Sequence, residues 1–300
     1  MENKSLPELD KLFYEIGTYR ESKEIKMLFD FIKKFPNIAP YNAMLLHIQK
    51  PGSRYVASAM EWQRRFNRTI NPGARPLVIL RPFGPVSFVF DLGDTTGEDP
   101  FPEKLLNPFK VKGSIKKTVF NNLLSNLMRD GILYCETEHG TSSAGFIQTN
   151  HSNTKSKMIH GKKEYLVNIL YNIVVNRKHP IETKFATILH ELGHLYCGHL
   201  GTPNPKWWPD RRNLNINEEE FEAESVCWLI CERMGIKNPS AEYLKGYLIE
   251  NQYIPNISID TVLKAVASIE SMINGSKEPR KELVHETKVM KSTHIQQTLF

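Results

Sequence analysis

The chain has 300 residues, of which 40% are hydrophobic, 24% charged and 10% aromatic. This composition excludes disorder over most of the length, because there is enough apolar surface to form a core. The length favours two domains. The net charge of +6 is concentrated between residues 41 and 90, which hold seven basic residues and one acidic residue. Such an excess favours a polyanionic partner, although it is also typical of a solvated basic surface.

The sequence indicates neither a targeting segment nor a membrane span. Its first ten residues lack an apolar stretch, and the most apolar run, 166–175, is shorter than the ~20 residues that cross a bilayer. The cysteines, at positions 135, 197, 227 and 231, are too sparse for a disulfide framework. We therefore expect a cytoplasmic protein with no membrane partner.

Hydrophobic periodicity and turn residues predict the elements in chain order. In the N-terminal part, helices are expected over 6–35, 41–49 and 57–66, and strands over 76–80 and 86–91. In the rest of the chain, strands are expected over 145–148 and 164–175, and helices over 115–130, from 180 onward, 218–234, 241–250 and 259–273. Segment 94–108 is rich in Pro, Gly and Thr, which predicts a long loop or linker.

These elements predict an α+β fold with two domains and a tail. A smaller, basic α+β module is expected over residues 1–112, and a second domain with a small sheet over 113–275. Residues 276–300 are polar and are expected to form a flexible tail.

The segment His190-Glu191-Leu192-Gly193-His194 matches the pattern H-E-x-x-H inside a helical pattern. Residues four apart on a helix share a face, so both imidazoles can bind one Zn²⁺ ion. Glu191 lies beside them and can act as the general base for a water molecule that the metal activates. The alternative is a chance occurrence of two surface histidines and an acid.

A catalytic zinc site needs a third protein ligand, which leaves the fourth position for water. His199 follows His190 by nine residues and would lie on the opposite side of a continuing helix, so we do not expect it to bind. The acidic helix after residue 218 is a better source: Glu220 is predicted as the ligand, with Glu222 as the fallback and Glu224 as the hydrogen-bond partner of a ligand histidine. The alternatives are a capping box of Glu220 with Asn217 and a solvated acidic surface.

The segment Phe185–His194 followed by Glu220-x-x-Ala223-Glu224 resembles the ImmA/IrrE family of zinc metallopeptidases. This resemblance implies a zincin-like domain with an active-site helix and a small sheet over 113–275. It also implies zinc on His190, His194 and Glu220, with Glu191 as the catalytic base. It also implies a protein substrate, such as a DNA-bound transcriptional repressor of a mobile element or a stress response.

The stretch Tyr41–Leu46, with Trp62 and the segment Gly73–Leu80, resembles the N-terminal module of ArdC-type antirestriction proteins. That resemblance implies binding of single-stranded DNA. Several aromatic residues lie among the arginines, an arrangement suited to base stacking beside phosphate contacts, although most of these rings are expected in the core. The residues predicted to contact DNA are Arg64, Arg65, Arg68 and Arg75.

The predicted reaction is the attack of a metal-activated water on a peptide carbonyl, with Glu191 passing the proton to the leaving amine. In zincins an edge strand beside the metal helix pairs with an extended substrate, and 164–175 is the predicted strand. The residue that stabilises the oxyanion remains open among Tyr165, Tyr171, His151, His160 and His179.

The cysteines, two loop tryptophans and the C-terminal segment each allow more than one interpretation. Cys197, Cys227 and Cys231 are expected as buried small residues rather than as metal ligands, and the loop residues Trp207 and Trp208 as cover for the core. The C-terminal segment QQTLF resembles the peptide by which bacterial proteins bind the DNA sliding clamp, through Gln296, Leu299 and Phe300.

Two other function classes stay open. The chain could be a non-proteolytic, single-stranded-DNA-binding antirestriction-type protein, whose effect would not depend on Glu191. Its metal could also be structural, in which case a fourth protein ligand would close the site.

Overall fold

The computed structural model describes most of the chain. The described residues are 22–35, 37–81, 84–102, 105, 114–138, 145–236 and 254–289. They form a mixed α+β fold, which confirms the predicted fold class. None of the helices in these ranges is long and apolar enough to cross a bilayer.

The helices lie close to the predicted ranges. Their bounds are α1 (Ser22–Lys33), α2 (Pro40–Gln49), α3 (Ala59–Phe66), α4 (Lys117–Leu127), α5 (Ile181–Tyr196), α6 (Ile216–Met234) and α7 (Ile259–Ile273). The predicted helix over 241–250 and the first part of the one over 6–35 lie outside the described residues.

The described strands form several small sheets. Their bounds are β1 (Val56–Ala57), β2 (Thr69–Ile70), β3 (Leu77–Arg81), β4 (Gly84–Asp91), β5 (Thr95–Thr96), β6 (Ile132–Thr137), β7 (Gly145–Thr149), β8 (Lys155–His160), β9 (Lys163–Asn168), β10 (Tyr171–Asn176) and β11 (Val284–Val289). The strand orders are β1-β4-β3, β6-β10-β7, β11-β9-β8 and β2-β5. Strands β6 and β10 are parallel, and the other described pairs are antiparallel.

The chain divides into two compact units. The first contains Met1–Ile115 and Leu192–Ser268, and the second contains Lys116–Glu191 and Ile269–Phe300. Helix α5 therefore begins in the second unit and ends in the first. The domain ranges 1–112 and 113–275 stay a prediction.

In the first unit, α1 packs its apolar face into the core. The fully buried residues of this face recur at three- and four-residue steps and are Ile25, Leu28, Phe29 and Ile32. Arg233 of α6 donates hydrogen bonds to the carbonyl oxygens of Ile32, Phe35 and Ile38. The carbonyl group of Ile32 belongs to the last turn of α1, whereas those of Phe35 and Ile38 lie in the segment that follows the helix.

In the second unit, the predicted single strand over 164–175 is wrong. This segment is two strands that lie in different sheets: β9 pairs with β8 and β11, and β10 pairs with β6 and β7. The chain leaves the first sheet at Ile169 and Leu170, whose amides donate to the carbonyl oxygens of Thr154 and Gly131. Both strands are paired on two sides, so neither has the free edge that the predicted substrate pairing requires.

The end of the described chain also differs from the prediction. Val284–Val289, part of the predicted flexible tail 276–300, pairs with β9 as β11. Its side chains are mostly polar, because an edge strand needs few apolar residues, and this hides the strand from hydrophobic patterning. Residues 290–300, including Gln296, Leu299 and Phe300, lie outside the described residues, so the sliding-clamp prediction stays a prediction.

Candidate metal centre

Helix α5 presents its histidines on the side opposite its core face. The helix follows Pro180 and has Glu182 in its first turn, where a carboxylate stabilises the positive end of the helix dipole. Its fully buried apolar residues are Phe185, Ile188, Leu189, Leu192 and Leu195. His190 and His194, which lie between them in the sequence, are partly exposed.

Helix α6 begins with a capping box of which Glu220 is not a member. The side chain of Asn215 accepts hydrogen bonds from the amides of Asn217 and Glu218, and the Glu218 carboxylate accepts one from the amide of Asn215. The capping pair is therefore Asn215 and Glu218, and the considered pair of Asn217 with Glu220 is not the one that forms. Glu220 lies in α6 just beyond these capping residues.

A close approach of α5 and α6 brings Glu220 near His194. A Cβ atom added to Gly193 would lie 2.9 Å from the Cα atom and 3.1 Å from the carbonyl oxygen of Ala223. Only glycine at position 193 allows the two backbones to come this near. Glu220 precedes Ala223 by about one turn, and its Oε1 atom lies 3.4 Å from Nε2 of His194.

The three predicted ligands form a candidate metal-binding group. One ligand atom from each of His190, His194 and Glu220 lies within 4.8 Å of the others. All three residues are partly exposed, which suits a site that also admits water or substrate. Two imidazoles and a carboxylate are a ligand set that zinc accepts in catalytic sites.

Glu191 accepts a hydrogen bond from the edge of a sheet. The backbone amide of Ile147, on β7, donates to Oε2 of Glu191 over 3.0 Å. Strand β7 is an edge strand of the sheet β6-β10-β7. The amide therefore orients the carboxylate that the sequence predicts as the general base.

His199, which sequence reasoning rejected as a ligand, lies against His194. Their Nδ1 atoms are 2.9 Å apart, and Nε2 of His199 is 3.0 Å from Oε2 of Glu222. The helical projection failed because α5 ends at Tyr196. Gly198 then adopts a φ of +86°, and a Cβ there would meet the carbonyl oxygen of Pro209 at 2.2 Å. This turn brings the ring of His199 back to the helix.

Glu222 is fully buried and is paired with Arg211. The two Arg211 nitrogens donate to the two carboxylate oxygens over 2.6 and 2.7 Å, and the amide of Ser258 donates over 2.7 Å. Burial raises the pKa of Glu222, but hydrogen bonds from His199 and Arg211 outweigh it, so the pKa lies below its ordinary value. Burial lowers the pKa of Arg211, but its pairing with Glu222 raises it overall.

A second group with ligand atoms close together consists of Cys197, His199 and Glu222, all buried. Its carboxylate oxygens already accept hydrogen bonds from Arg211 and Ser258, and the guanidinium charge opposes a cation there. Burial and the charge of Glu222 raise the pKa of the Cys197 thiol well above its ordinary value. These hydrogen bonds and the charge of Arg211 disfavour a metal ion in this group, and the role of Glu222 as the fallback ligand stays a prediction that they argue against.

The remaining predicted residues of this region lie as follows. Glu224 is on α6, one turn after Glu220, and its role as the hydrogen-bond partner of a ligand histidine stays a prediction. Nδ1 of the ligand His194 lies against His199 instead. Cys227 and Cys231 are fully buried, as expected. Trp208 is buried and its indole nitrogen donates to the carbonyl oxygen of Gly201, which agrees with a structural role.

The oxyanion candidates stay open. The Tyr165 hydroxyl donates to Glu278 over 3.3 Å, and Nδ1 of His160 lies 3.8 Å from the same carboxylate. Tyr171 is buried in β10, where burial raises the pKa of its hydroxyl to about 12. His151 and His179 lie in the connections before β8 and after β10.

The arginines predicted to contact DNA differ in their surroundings. Arg64 and Arg65 of α3 are exposed, and the Arg65 guanidinium lies 5.3 Å from the centre of the Phe66 ring. Arg75 is exposed in the loop before β3. Arg68 instead donates to the hydroxyl and carbonyl oxygens of Thr95 over 2.8 and 2.9 Å, so its guanidinium is largely used within the protein.

Of the aromatic residues near these arginines, Trp62 is fully buried and its indole nitrogen donates to the carbonyl oxygen of Phe90. Phe66 and Phe101 pack against its cluster and are partly buried. Both also line a shallow pocket with Arg64, Arg65 and Arg68. This pocket combines cationic and aromatic side chains at one surface.

We expect Gly193→Ala to destabilise the protein by about 1–3 kcal/mol, because the added methyl group must separate α5 from α6. Helix propensity alone predicts the opposite sign, a gain of up to about 1 kcal/mol. Urea denaturation measures the free energy of unfolding. Gly52→Ala is the control, since a Cβ there has no atom within 4 Å. A Gly193→Ala protein as stable as the wild type would contradict the close approach.

Comparison with known proteins gives two similar solved structures. No protein-family model and no curated protein sequence matches the chain. Both structures are of the antirestriction ArdC protein from the R388 plasmid. The metal-free structure has 14% identity and a TM-score of 0.33, and it covers 78% of this chain and 81% of that chain. The Mn(II)-bound structure has 13% identity and a TM-score of 0.36, and it covers 79% of this chain and 85% of that chain.

Both structures are of the protein type that the N-terminal segment of this chain was found to resemble. Membership of the ImmA/IrrE family stays a prediction.

Proposed function

We propose that the chain is a metal-dependent hydrolase that cleaves peptide bonds. In this proposal His190, His194 and Glu220 hold a Zn²⁺ ion, and Glu191 is the general base. The observation that carries it is the grouping of the three ligand atoms within 4.8 Å, with Glu191 adjacent in the sequence to the first of them. The donor set fits zinc, which would supply Lewis-acid polarisation of a carbonyl and a bound water with a pKa near 7.

The chain's own residues have distinct tasks in this proposal. The imidazoles bind as neutral rings, each through a nitrogen that carries no proton. Glu191 takes a proton from water at one carboxylate oxygen, while the amide of Ile147 holds the other oxygen in place. The same residue then delivers the proton to the nitrogen of the leaving amine, so that one carboxylate serves as base and as acid.

Strand β7 is the better candidate for pairing with an extended substrate. It replaces 164–175, whose two strands are both central, and its Ile147 contacts Glu191 directly. A peptide can add to an edge strand through main-chain hydrogen bonds. We propose a protein substrate on this basis, with a DNA-bound transcriptional repressor as one class of it.

The test is a search for new protein N-termini after the metal-loaded protein has been incubated with a cell extract. Cleavage should produce N-termini that are absent from samples with Glu191→Gln or with a chelator. A set of N-termini that is the same in all three samples would refute the proposal.

A second candidate is a non-proteolytic antirestriction-type protein that binds single-stranded DNA. The two solved structures are of an antirestriction protein, which is the class of this second candidate. The observation on this chain that favours it is the pocket of Arg64, Arg65, Phe66 and Phe101. Arginine can neutralise phosphates there while an aromatic ring stacks on a base. The two candidates are compatible, since DNA binding would bring a peptidase to a DNA-bound substrate.

We expect the full chain to bind single-stranded DNA with an affinity that falls as salt rises. Replacing both Arg64 and Arg65 with Gln should reduce the slope of log K against log salt by about 0.7 for each phosphate that the variant no longer neutralises. Fluorescence anisotropy at several salt concentrations measures this slope. The control is the replacement of Lys117 and Lys155 with Gln, which removes the same charge from exposed positions in the second unit. Equal effects of the two double variants would contradict a specific surface.

A further inference from the structure

We propose that His199 is a positioning residue for the metal ligand His194. In this arrangement His199 accepts the hydrogen bond from Nδ1 of His194, and this fixes the proton of the ligand ring on Nδ1. Nε2 of His194 is then the nitrogen that binds the metal. The inference rests on the metal site of the proposed function but needs no peptide cleavage, and His199 itself is not a ligand in it.

The first support is that both nitrogens of the His199 ring have a partner. Nδ1 lies 2.9 Å from Nδ1 of His194, and Nε2 lies 3.0 Å from Oε2 of Glu222. The side chain of His199 is only 2% exposed. Solvent therefore cannot replace either partner easily, and the tautomer of the ring decides which atom donates in each bond.

The second support is the order of protons that Glu222 imposes. Its carboxylate is held by the two nitrogens of Arg211, a group that stays protonated, so it can only accept hydrogen bonds. Nε2 of His199 must then be the donor of their shared bond. A neutral His199 ring has its lone pair on Nδ1, so Nδ1 of His194 donates to it.

The third support is the direction of the remaining nitrogen of His194. Nε2 lies 3.4 Å from Oε1 of Glu220, on the side of the candidate metal group. Protonation of Nδ1 leaves the lone pair of a neutral ring on Nε2, which is the state that a metal requires. If His199 donated from both nitrogens instead, a neutral His194 would carry its proton on Nε2 and could not bind through that atom.

Arg211 and Glu222, which follow His199 in this series of contacts, are themselves held by further hydrogen bonds. Besides pairing with Glu222, Arg211 donates to the carbonyl oxygen of Cys197 over 3.3 Å, and the amide of Ser258 donates to Oε1 of Glu222. The turn at Gly198 admits no side chain, because the carbonyl oxygen of Pro209 would lie 2.2 Å from a Cβ. The His199 ring is thus oriented by the α5–α6 connection and by α6, rather than by the metal.

The first test locates the protons in the metal-free wild-type protein. Two-dimensional ¹H–¹⁵N NMR spectra of the histidine rings distinguish a proton on Nδ1 from one on Nε2, and the loss of one ring signal in His194→Gln assigns that ring. We expect the proton of His194 on Nδ1 and that of His199 on Nε2. A proton of His194 on Nε2 would overturn the proposal, and this measurement requires no destabilised variant.

The second test measures zinc affinity by competition with a chromophoric chelator. His199→Phe keeps a ring but removes both hydrogen bonds, and we expect its dissociation constant to rise about 10–100-fold. His199→Gln offers an oxygen acceptor and a nitrogen donor and should recover much of that loss. His47→Phe is the control, since His47 is also a buried histidine of the first unit but packs on Phe31.

The outcomes separate this inference from the proposed function. Equal losses in His199→Phe and His199→Gln, no loss in either, or a similar loss in His47→Phe would overturn the positioning role. A protein that binds zinc with the expected dependence on His199 but produces no new N-termini would refute the peptidase function and leave the positioning role supported.

Discussion

Glu191→Gln is expected to lower the rate of peptide hydrolysis by about 10²–10⁴-fold while the protein keeps its metal. The amide has nearly the same shape as the carboxylate but cannot accept a proton at neutral pH. It also retains an oxygen that can accept the hydrogen bond from the amide of Ile147, so the local structure should persist. The rate is measured on a peptide taken from a cleavage site found in the search for new N-termini.

Glu182→Gln is the matched control for this variant, because it makes the same change in the first turn of the same helix. We expect it to cleave the peptide at the wild-type rate. Cleavage by Glu191→Gln at the wild-type rate would refute the role of Glu191 as the base. If the protein instead acts only by binding DNA, Glu191→Gln should leave its biological effect unchanged.

Arg211→Met is expected to destabilise the protein by about 3–5 kcal/mol, the usual effect of removing one member of a buried ion pair. The carboxylate of Glu222 is fully buried and would keep the weaker set of hydrogen bonds from His199, the amide of Ser258 and the Cys197 thiol. Methionine keeps most of the length and apolar surface of the arginine stem. Urea denaturation at neutral pH measures the change in the free energy of unfolding.

The neighbouring residue offers a matched control. Arg212 pairs with Asp210 at the surface, where its side chain is 67% exposed, so Arg212→Met should change stability by less than about 1 kcal/mol. Comparable losses for Arg211→Met and Arg212→Met would contradict the buried pair.

The effect of Arg211→Met should also depend on pH. Because the folded-state pKa of Glu222 is lowered, its pairing contributes fully above the unfolded-state pKa and is lost as pH falls through the folded-state pKa. The stability difference between the wild type and Arg211→Met should therefore shrink in acid. A difference that stays constant from neutral to acidic pH would indicate that the variant acts through weaker packing instead.

Local patterns allowed the sequence to predict the helical part of the candidate site. The spacing of His190 and His194 follows from helix geometry alone, and the apolar residues around them show which side faces the core. Glu220 follows from the acidic helix predicted over 218–234, although that helix begins earlier than predicted, with Asn215 as its N-cap. The pairing of α5 with α6 has a sequence signal as well, since Gly193 and Ala223 are the small residues at their closest approach.

The features that the sequence did not predict depend on where helices and strands end and on which residues, distant in the sequence, contact each other. His199 was missed because helical projection assumes that α5 continues, whereas it ends at Tyr196 before the turn at Gly198. Glycine after the last periodic residue is a helix stop signal, and it could have corrected the projection. No local pattern indicates that Arg211 pairs with Glu222, or that the run 164–175 divides between two sheets.

Metal binding by the histidine and glutamate variants tests the central claim most directly. The purified wild type should bind one zinc ion, measured by elemental analysis after dialysis, and His190→Ala, His194→Ala and Glu220→Ala should each lose it. Glu219→Ala, the adjacent acid on the same helix, should bind as the wild type does. Retention of zinc by both Glu220→Ala and His190→Ala would contradict the account, because the ion would then lie elsewhere.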